Sequence, residues 1–221
     1  MNSKKIVTQR TARYYYMGGE NKPVDSIWFV LHGYGQLAEK FLETFSLLSE
    51  GNNLVVAPEA LNRFYFNSRE GRIVGASWMT KEDRENDITD YVKYLDAVYE
   101  EVISEYSGKQ VKLFLLGFSQ GAATAWRWSM LGKIHPDRLI LWGGAAAADP
   151  EWKEYIEKLN NMNPLFVVGS DDKYISGEAF KKEIEKMDAA GLKYSVMHYE
   201  GKHELDSSVL EKLINEINNN E

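Results

Sequence analysis

Residues 111–128 read VKLFLLGFSQGAATAWRW, and the fold is decided there. Val111 and the run Leu113 to Leu116 are apolar or β-branched without a break, the pattern of a strand buried on both faces. Gly117-Phe118-Ser119-Gln120-Gly121 then predicts a sharp turn, and residues 122–130 a helix. A G-x-S-x-G pentapeptide between a strand and a helix is a nucleophile elbow. It puts the serine in a strained backbone conformation that lifts Oγ above the sheet edge. A Cβ at Gly117 or Gly121 would collide across so tight a turn. Ala122, Ala123 and Ala125 let the helix lie close to the neighbouring strands. Ser119 is the candidate nucleophile.

The chain around this stretch has 221 residues, enough for one α/β domain over residues 1–221 with a full core. A net charge of −7, with no Lys/Arg run, argues against nucleic-acid or anionic-membrane partners. There is no cysteine, which excludes disulfides, thiolate nucleophiles and Cys-ligated metals. No apolar run reaches the length of a membrane span, so no stable membrane insertion is expected. The amino terminus, MNSKKIVTQR, turns polar where a signal peptide needs its apolar region, and the expected compartment is the cytoplasm. Nothing in the composition speaks to oligomeric state.

Working outward, residues 6–17 alternate loosely, as a strand or hairpin would, and residues 18–23 form the turn after them. SIWFVL at 26–31, NLVVA at 53–57, LILW at 139–142 and PLFVV at 164–168 read as buried strands, with a last strand at 192–199. Helical spacing marks residues 36–49, 87–106, 149–160, 176–190 and 204–218. Residues 59–81 show no clean period. They hold Phe64-Tyr65-Phe66, Arg69, Arg72 and Trp78, and a long irregular segment in a compact domain is usually functional or mobile. Alternating strands and helices predict a mostly parallel sheet covered on both faces.

A serine hydroxyl needs a base to take its proton, and the base needs a partner to fix its tautomer. In such sheets the working groups collect at the carboxyl ends of strands. Of the four histidines, His203 sits in a glycine-led loop after the last strand. His32 belongs to the turn after SIWFVL, His135 to a surface loop and His198 to the last strand itself. For the acid, the loop after PLFVV offers Asp171 and Asp172. Backbone N–H groups for a developing oxyanion are expected at Gln120, just after the nucleophile, and at Tyr34 in His32-Gly33-Tyr34-Gly35. No HExxH helix or clustered ligand set points to a metal.

The chain at this point resembles the α/β-hydrolase carboxylesterase/phospholipase family that includes the acyl-protein thioesterases. The residues that carry the resemblance are LHGYG at 31–35, GFSQG at 117–121, GSDDKYI at 169–175 and GKHE at 201–204, in the family's order and spacing. The resemblance implies an α/β-hydrolase fold with a minimal lid. It implies Ser119 as nucleophile, Asp172 rather than Asp171 as acid, His203 as base, and Tyr34 and Gln120 as oxyanion donors. It implies hydrolysis of small-molecule carboxylic esters or thioesters with no metal or organic cofactor. Where many relatives carry an A-W-F-D-like stretch, this chain has Ala76-Ser77-Trp78-Met79-Thr80.

The sequence therefore predicts a serine esterase working through an acyl-enzyme. An acyl thioesterase or lysophospholipase for longer chains is the alternative within enzymes, and a non-catalytic binding protein on the same fold the alternative outside them. Phe64, Phe66 and Trp78 are expected to line the substrate pocket.

Overall fold

The computed structural model describes residues 2–20, 23–68, 71–149, 151–175 and 177–219. The expected turn residues Asn21 and Lys22, Arg69, the helix start at Pro150 and Ser176 lie outside these. A central sheet of seven strands is made of β1 (Tyr14–Gly18), β2 (Ser26–Leu31), β3 (Asn53–Pro58), β6 (Lys112–Phe118), β7 (Arg138–Trp142), β8 (Leu165–Gly169) and β9 (Ser195–Tyr199). A hairpin, β4 (Asn62–Ser68) and β5 (Gly71–Ser77), stands apart from it. The sheet order is β1-β3-β2-β6-β7-β8-β9, with β1 antiparallel at one edge and all other pairs parallel. This is the α/β-hydrolase architecture, a mostly parallel sheet with helices on both faces.

Successive strand residues point to opposite faces, and the apolar runs divide accordingly. Ile27, Phe29, Leu31, Leu113, Leu115 and Leu141 pack under α3 (Arg84–Ser104), α4 (Gln120–Leu131) and α6 (Gly177–Ala190). Trp28, Val30, Leu116, Ile140 and Trp142 pack under α1 (Ala38–Leu42), α2 (Ser46–Ser49) and α7 (Ser207–Asn219). The 36–49 stretch is thus not one helix: a 3-10 turn at Glu43–Phe45 separates α1 from α2. Residues 149–160 also differ from expectation, forming a 3-10 turn (Trp152–Tyr155) and the short α5 (Ile156–Asn160). Asp149 instead accepts a hydrogen bond from the buried Arg127 guanidinium at 2.7 Å. No described helix is long and apolar enough to cross a membrane.

The segment read as irregular, residues 59–81, is the main correction. It folds as the β4–β5 hairpin, in register from Asn62↔Ser77 to Ser68↔Gly71. Side chains along β4 alternate between half-buried and exposed, but the consecutive aromatics Phe64, Tyr65 and Phe66 put an apolar residue on both faces, so no apolar–polar alternation marks it in the sequence. Tyr65 is 64 % exposed on one face, under the guanidinium of Arg72 at 4.4 Å, while Phe64 and Phe66 lie half-buried on the other.

Candidate active site

β6 ends at Phe118, and the chain reverses through Ser119 at φ 54°, ψ −116° into α4. A non-glycine residue rarely holds such a conformation, at a cost of about 1–3 kcal/mol. The surroundings over-determine it. The Ser119 N–H donates to Trp142 O of β7 at 2.9 Å, and Ala122 N–H donates to Ser119 O at 3.0 Å. A Cβ on Gly117 would come within 2.2 Å of Gly121 O, and one on Gly121 within 2.1 Å of Leu31 O. Both glycines are therefore required by the turn, as their spacing in the sequence implies.

Two further loops reach this elbow from the same sheet end. Behind β8, Asp172 is buried, with Oδ1 accepting the N–H groups of Tyr174 (2.8 Å) and Ile175 (3.2 Å). Its Oδ2 stands 2.8 Å from Nδ1 of His203, which lies between β9 and α7. The other ring nitrogen, Nε2, is 2.8 Å from Ser119 Oγ. A carboxylate only accepts, so Nδ1 carries the proton and Nε2 of the neutral ring is left to accept from the Ser119 hydroxyl. Gly169 and the His203 loop approach so closely that a Cβ on Gly169 would sit 2.5 Å from Gly201 O. The neighbouring Asp171 is exposed and contributes its backbone N–H to Gly201 O at 2.9 Å. Of the two aspartates, Asp172 is the one that meets the imidazole.

The loop after β2 borders Ser119. Three of its four successive amides are used within the protein: Gly33 N–H donates to Gln36 Oε1 (2.7 Å), Gly35 N–H to Ala76 O (2.8 Å) and Gln36 N–H to Gly33 O (3.2 Å). The fourth is that of Tyr34. Gln120 is the first residue of α4, where helix N–H groups have no intrahelical acceptor and the dipole favours negative charge.

The remaining histidines are elsewhere or otherwise engaged. His32 is fully buried, its Nε2 accepting Ala60 N–H at 3.1 Å, and burial holds it below the ordinary imidazole range. His135 and His198 are exposed.

The structure divides the three pocket candidates. Phe64 stacks on Tyr34 (5.2 Å, 30°) and Phe66 lies against Phe64 at 5.7 Å, so both flank the loop after β2. Trp78 does not join them. Its side chain is fully buried, Nε1 donates to His32 O at 2.8 Å, and its ring packs on His32 and Tyr91. Trp78 is a core residue rather than a pocket wall, because its indole N–H finds its acceptor inside the sheet's end. Trp78→Ala is accordingly expected to act on stability. About 3–5 kcal/mol should be lost, which for a chain of this size lowers Tm by roughly 10 °C in a thermal melt.

Sequence reading missed Gln36, the side chain of Gln120 and Tyr174. Gln36 has a local signal, since it lies three residues after the glycine whose amide it accepts. Tyr174 is 81 % exposed with its ring centroid 4.5 Å from that of His203. Among the described residues no three His, Asp or Glu converge as metal ligands.

A phospholipase/carboxylesterase family model matches residues 19–221, nearly the whole chain. The chain belongs to the phospholipase/carboxylesterase family. No curated protein matches the chain. Among solved structures, acyl-protein thioesterase 2 of Zea mays is similar at TM-score 0.70 and 16 % identity, covering 95 % of this chain and 99 % of that one. Esterase PE8 is similar at TM-score 0.67 and 18 % identity, with 95 % and 99 % coverage. SOBER1 of Arabidopsis thaliana gives TM-score 0.65 and 19 % identity, with 85 % and 95 % coverage. At these identities the likeness is one of fold. Membership makes this phospholipase/carboxylesterase family protein a hydrolase of the esterase/thioesterase kind.

Proposed function

We propose that the protein hydrolyses carboxylic esters through an acyl-enzyme on Ser119. The observation that carries this reading is the unbroken hydrogen-bonded chain Ser119–His203–Asp172, 2.8 Å at each link. His203 Nε2 takes the hydroxyl proton as Ser119 Oγ attacks the ester carbonyl. Asp172, tied by two backbone amides, holds the imidazole in the required tautomer and stabilises the imidazolium that forms. The amides of Tyr34 and Gln120 receive the carbonyl oxygen as it becomes anionic. Collapse of the tetrahedral adduct breaks the ester C–O bond, and the imidazolium returns its proton to the departing alkoxide. A water then attacks the acyl carbon, giving its proton to the same nitrogen, and Ser119 leaves protonated.

A small fluorophosphonate should therefore form one covalent adduct per chain, mapped by peptide mass spectrometry to Ser119. An adduct on another serine, or none on folded protein, would remove the basis for this reading.

Acyl-chain preference is assigned to the Tyr34–Phe64–Phe66 stack beside the oxyanion loop, in which Tyr34 is exposed and Phe64 and Phe66 are half-buried. Each methylene buried there is worth about 0.8 kcal/mol, close to fourfold in kcat/KM. Phe66→Ala should lower the ratio of kcat/KM for long over short p-nitrophenyl esters several-fold while fluorophosphonate labelling persists. An unchanged ratio in folded variant would put the acyl site elsewhere.

A further inference from the structure

The end of β5 and the residues after it, 75–79, touch both loops that carry the proposed oxyanion amides. Toward the loop after β2, Ala76 O accepts Gly35 N–H at 2.8 Å and Ala76 N–H donates to Gln36 O at 3.2 Å. The approach is so close that a Cβ on Gly75 would lie 2.4 Å from Gly35 O and 2.8 Å from Gly35 Cα. Toward the elbow, the contact is made by one side chain. Gln120 Oε1 accepts Trp78 N–H at 3.1 Å, and its Nε2 donates to Ser77 Oγ (3.1 Å) and to Met79 O (3.0 Å). Gln120 thus meets three consecutive residues of the segment with one planar amide.

We propose that residues 75–79 are a strap setting the separation and aim of the Tyr34 and Gln120 N–H groups, with the Gln120 side-chain amide as its positioning residue. The proposal rests on the oxyanion assignment made above. A backbone donor has no rotamer to adjust, so its direction is fixed by where its loop is held. The two donors sit on different loops, and the strap bonds to each. An amide suits the task because it offers an acceptor to Trp78 N–H and a donor to Met79 O on one rigid group. Neither a carboxylate nor an aliphatic side chain supplies both. Charge develops on the carbonyl oxygen only in the transition state, so misplaced donors reduce kcat and leave ground-state binding nearly intact.

The test compares an ester with its thionoester, in which sulfur replaces the carbonyl oxygen. Sulfur is larger and a weaker hydrogen-bond acceptor, so a well-aimed pair of N–H groups favours the ester, whereas the serine–histidine chemistry is common to both substrates. The wild-type enzyme should prefer the ester strongly. Gln120→Leu should lose about 10- to 100-fold in kcat on the ester, part of what loss of a whole donor costs, with KM within about twofold. Its ester-to-thionoester ratio should fall by roughly tenfold. Ser77→Ala and Gly75→Ala, which disturb the strap while leaving Gln120 in place, should move the ratio the same way and cover the case in which Gln120→Leu does not fold. If the wild type discriminates and the folded variants keep its full ratio, or lose both activities in parallel, the strap is wrong while the esterase reading stands. If the wild type itself makes no distinction, the oxyanion assignment falls, and the strap with it.

Discussion

Ser119→Ala is expected to lower kcat for ester hydrolysis by three or more orders of magnitude in a folded protein. On the proposed mechanism the alanine removes the atom that bonds to the acyl carbon. Alanine also leaves the elbow itself, since the turn is held by the hydrogen bond from the residue-119 N–H to Trp142 O and by two glycines with no room for a Cβ. Residual turnover would come from the oxyanion amides and from binding alone, which is why losses of this kind in other serine hydrolases stop short of the uncatalysed rate. Melting at or slightly above the wild-type temperature would confirm that the loss is chemical. Retention of more than a few per cent of the wild-type kcat would mean that another group attacks the ester.

Asp172→Asn is expected to reduce kcat by about 10³- to 10⁴-fold, while Asp171→Asn changes it by less than about threefold. The two residues are adjacent and chemically alike, so the comparison isolates geometry. Asp172 is buried, with one oxygen saturated by two backbone amides and the other facing His203 Nδ1. An asparagine can place either its oxygen or its amide nitrogen toward the ring. With the N–H of Tyr174 and Ile175 demanding an acceptor on one side, the NH₂ is turned toward His203. The imidazole must then accept at Nδ1 and carry its proton on Nε2, where it cannot receive the serine proton. Asp171 takes part only through its backbone amide, which asparagine retains. Steady-state rates at saturating p-nitrophenyl acetate decide the matter, and equal losses in the two variants would move the acid to Asp171.

Much of this was legible because the chemistry is tied to local backbone demands. Gly117 and Gly121 mark the elbow since nothing larger fits, and the apolar runs of β2, β3 and β6 mark a sheet covered on both faces. The hairpin was not legible. Phe64, Tyr65 and Phe66 are three aromatics in a row, so the strand's alternation of half-buried and exposed side chains has no counterpart in residue type. Trp78 shows the complementary difficulty. In sequence it is one more aromatic of the same segment as Phe66, and its indole N–H reaches the carbonyl of His32, far away in sequence, inside the core. Asp149 reads as a helix start by residue type, but a buried arginine on α4 claims it. The side chain of Gln120 was overlooked for a similar reason: its partners at Ser77, Trp78 and Met79 belong to a segment with no recognisable period.

The position of β9 has a consequence for how activity is lost. β2 is enclosed by strands on both sides and buried throughout, whereas β9 pairs with β8 alone and none of its side chains is fully buried. His203 hangs from the end of that outermost strand, and Ser119 from β6 near the middle. Local opening begins where few contacts must break. A molecule whose last strand and α7 have frayed keeps a formed elbow and most of its core, yet it lacks the base of the proposed mechanism. On the proposed mechanism catalysis therefore reports on one edge of the sheet, and turnover should end while much of the protein is still folded.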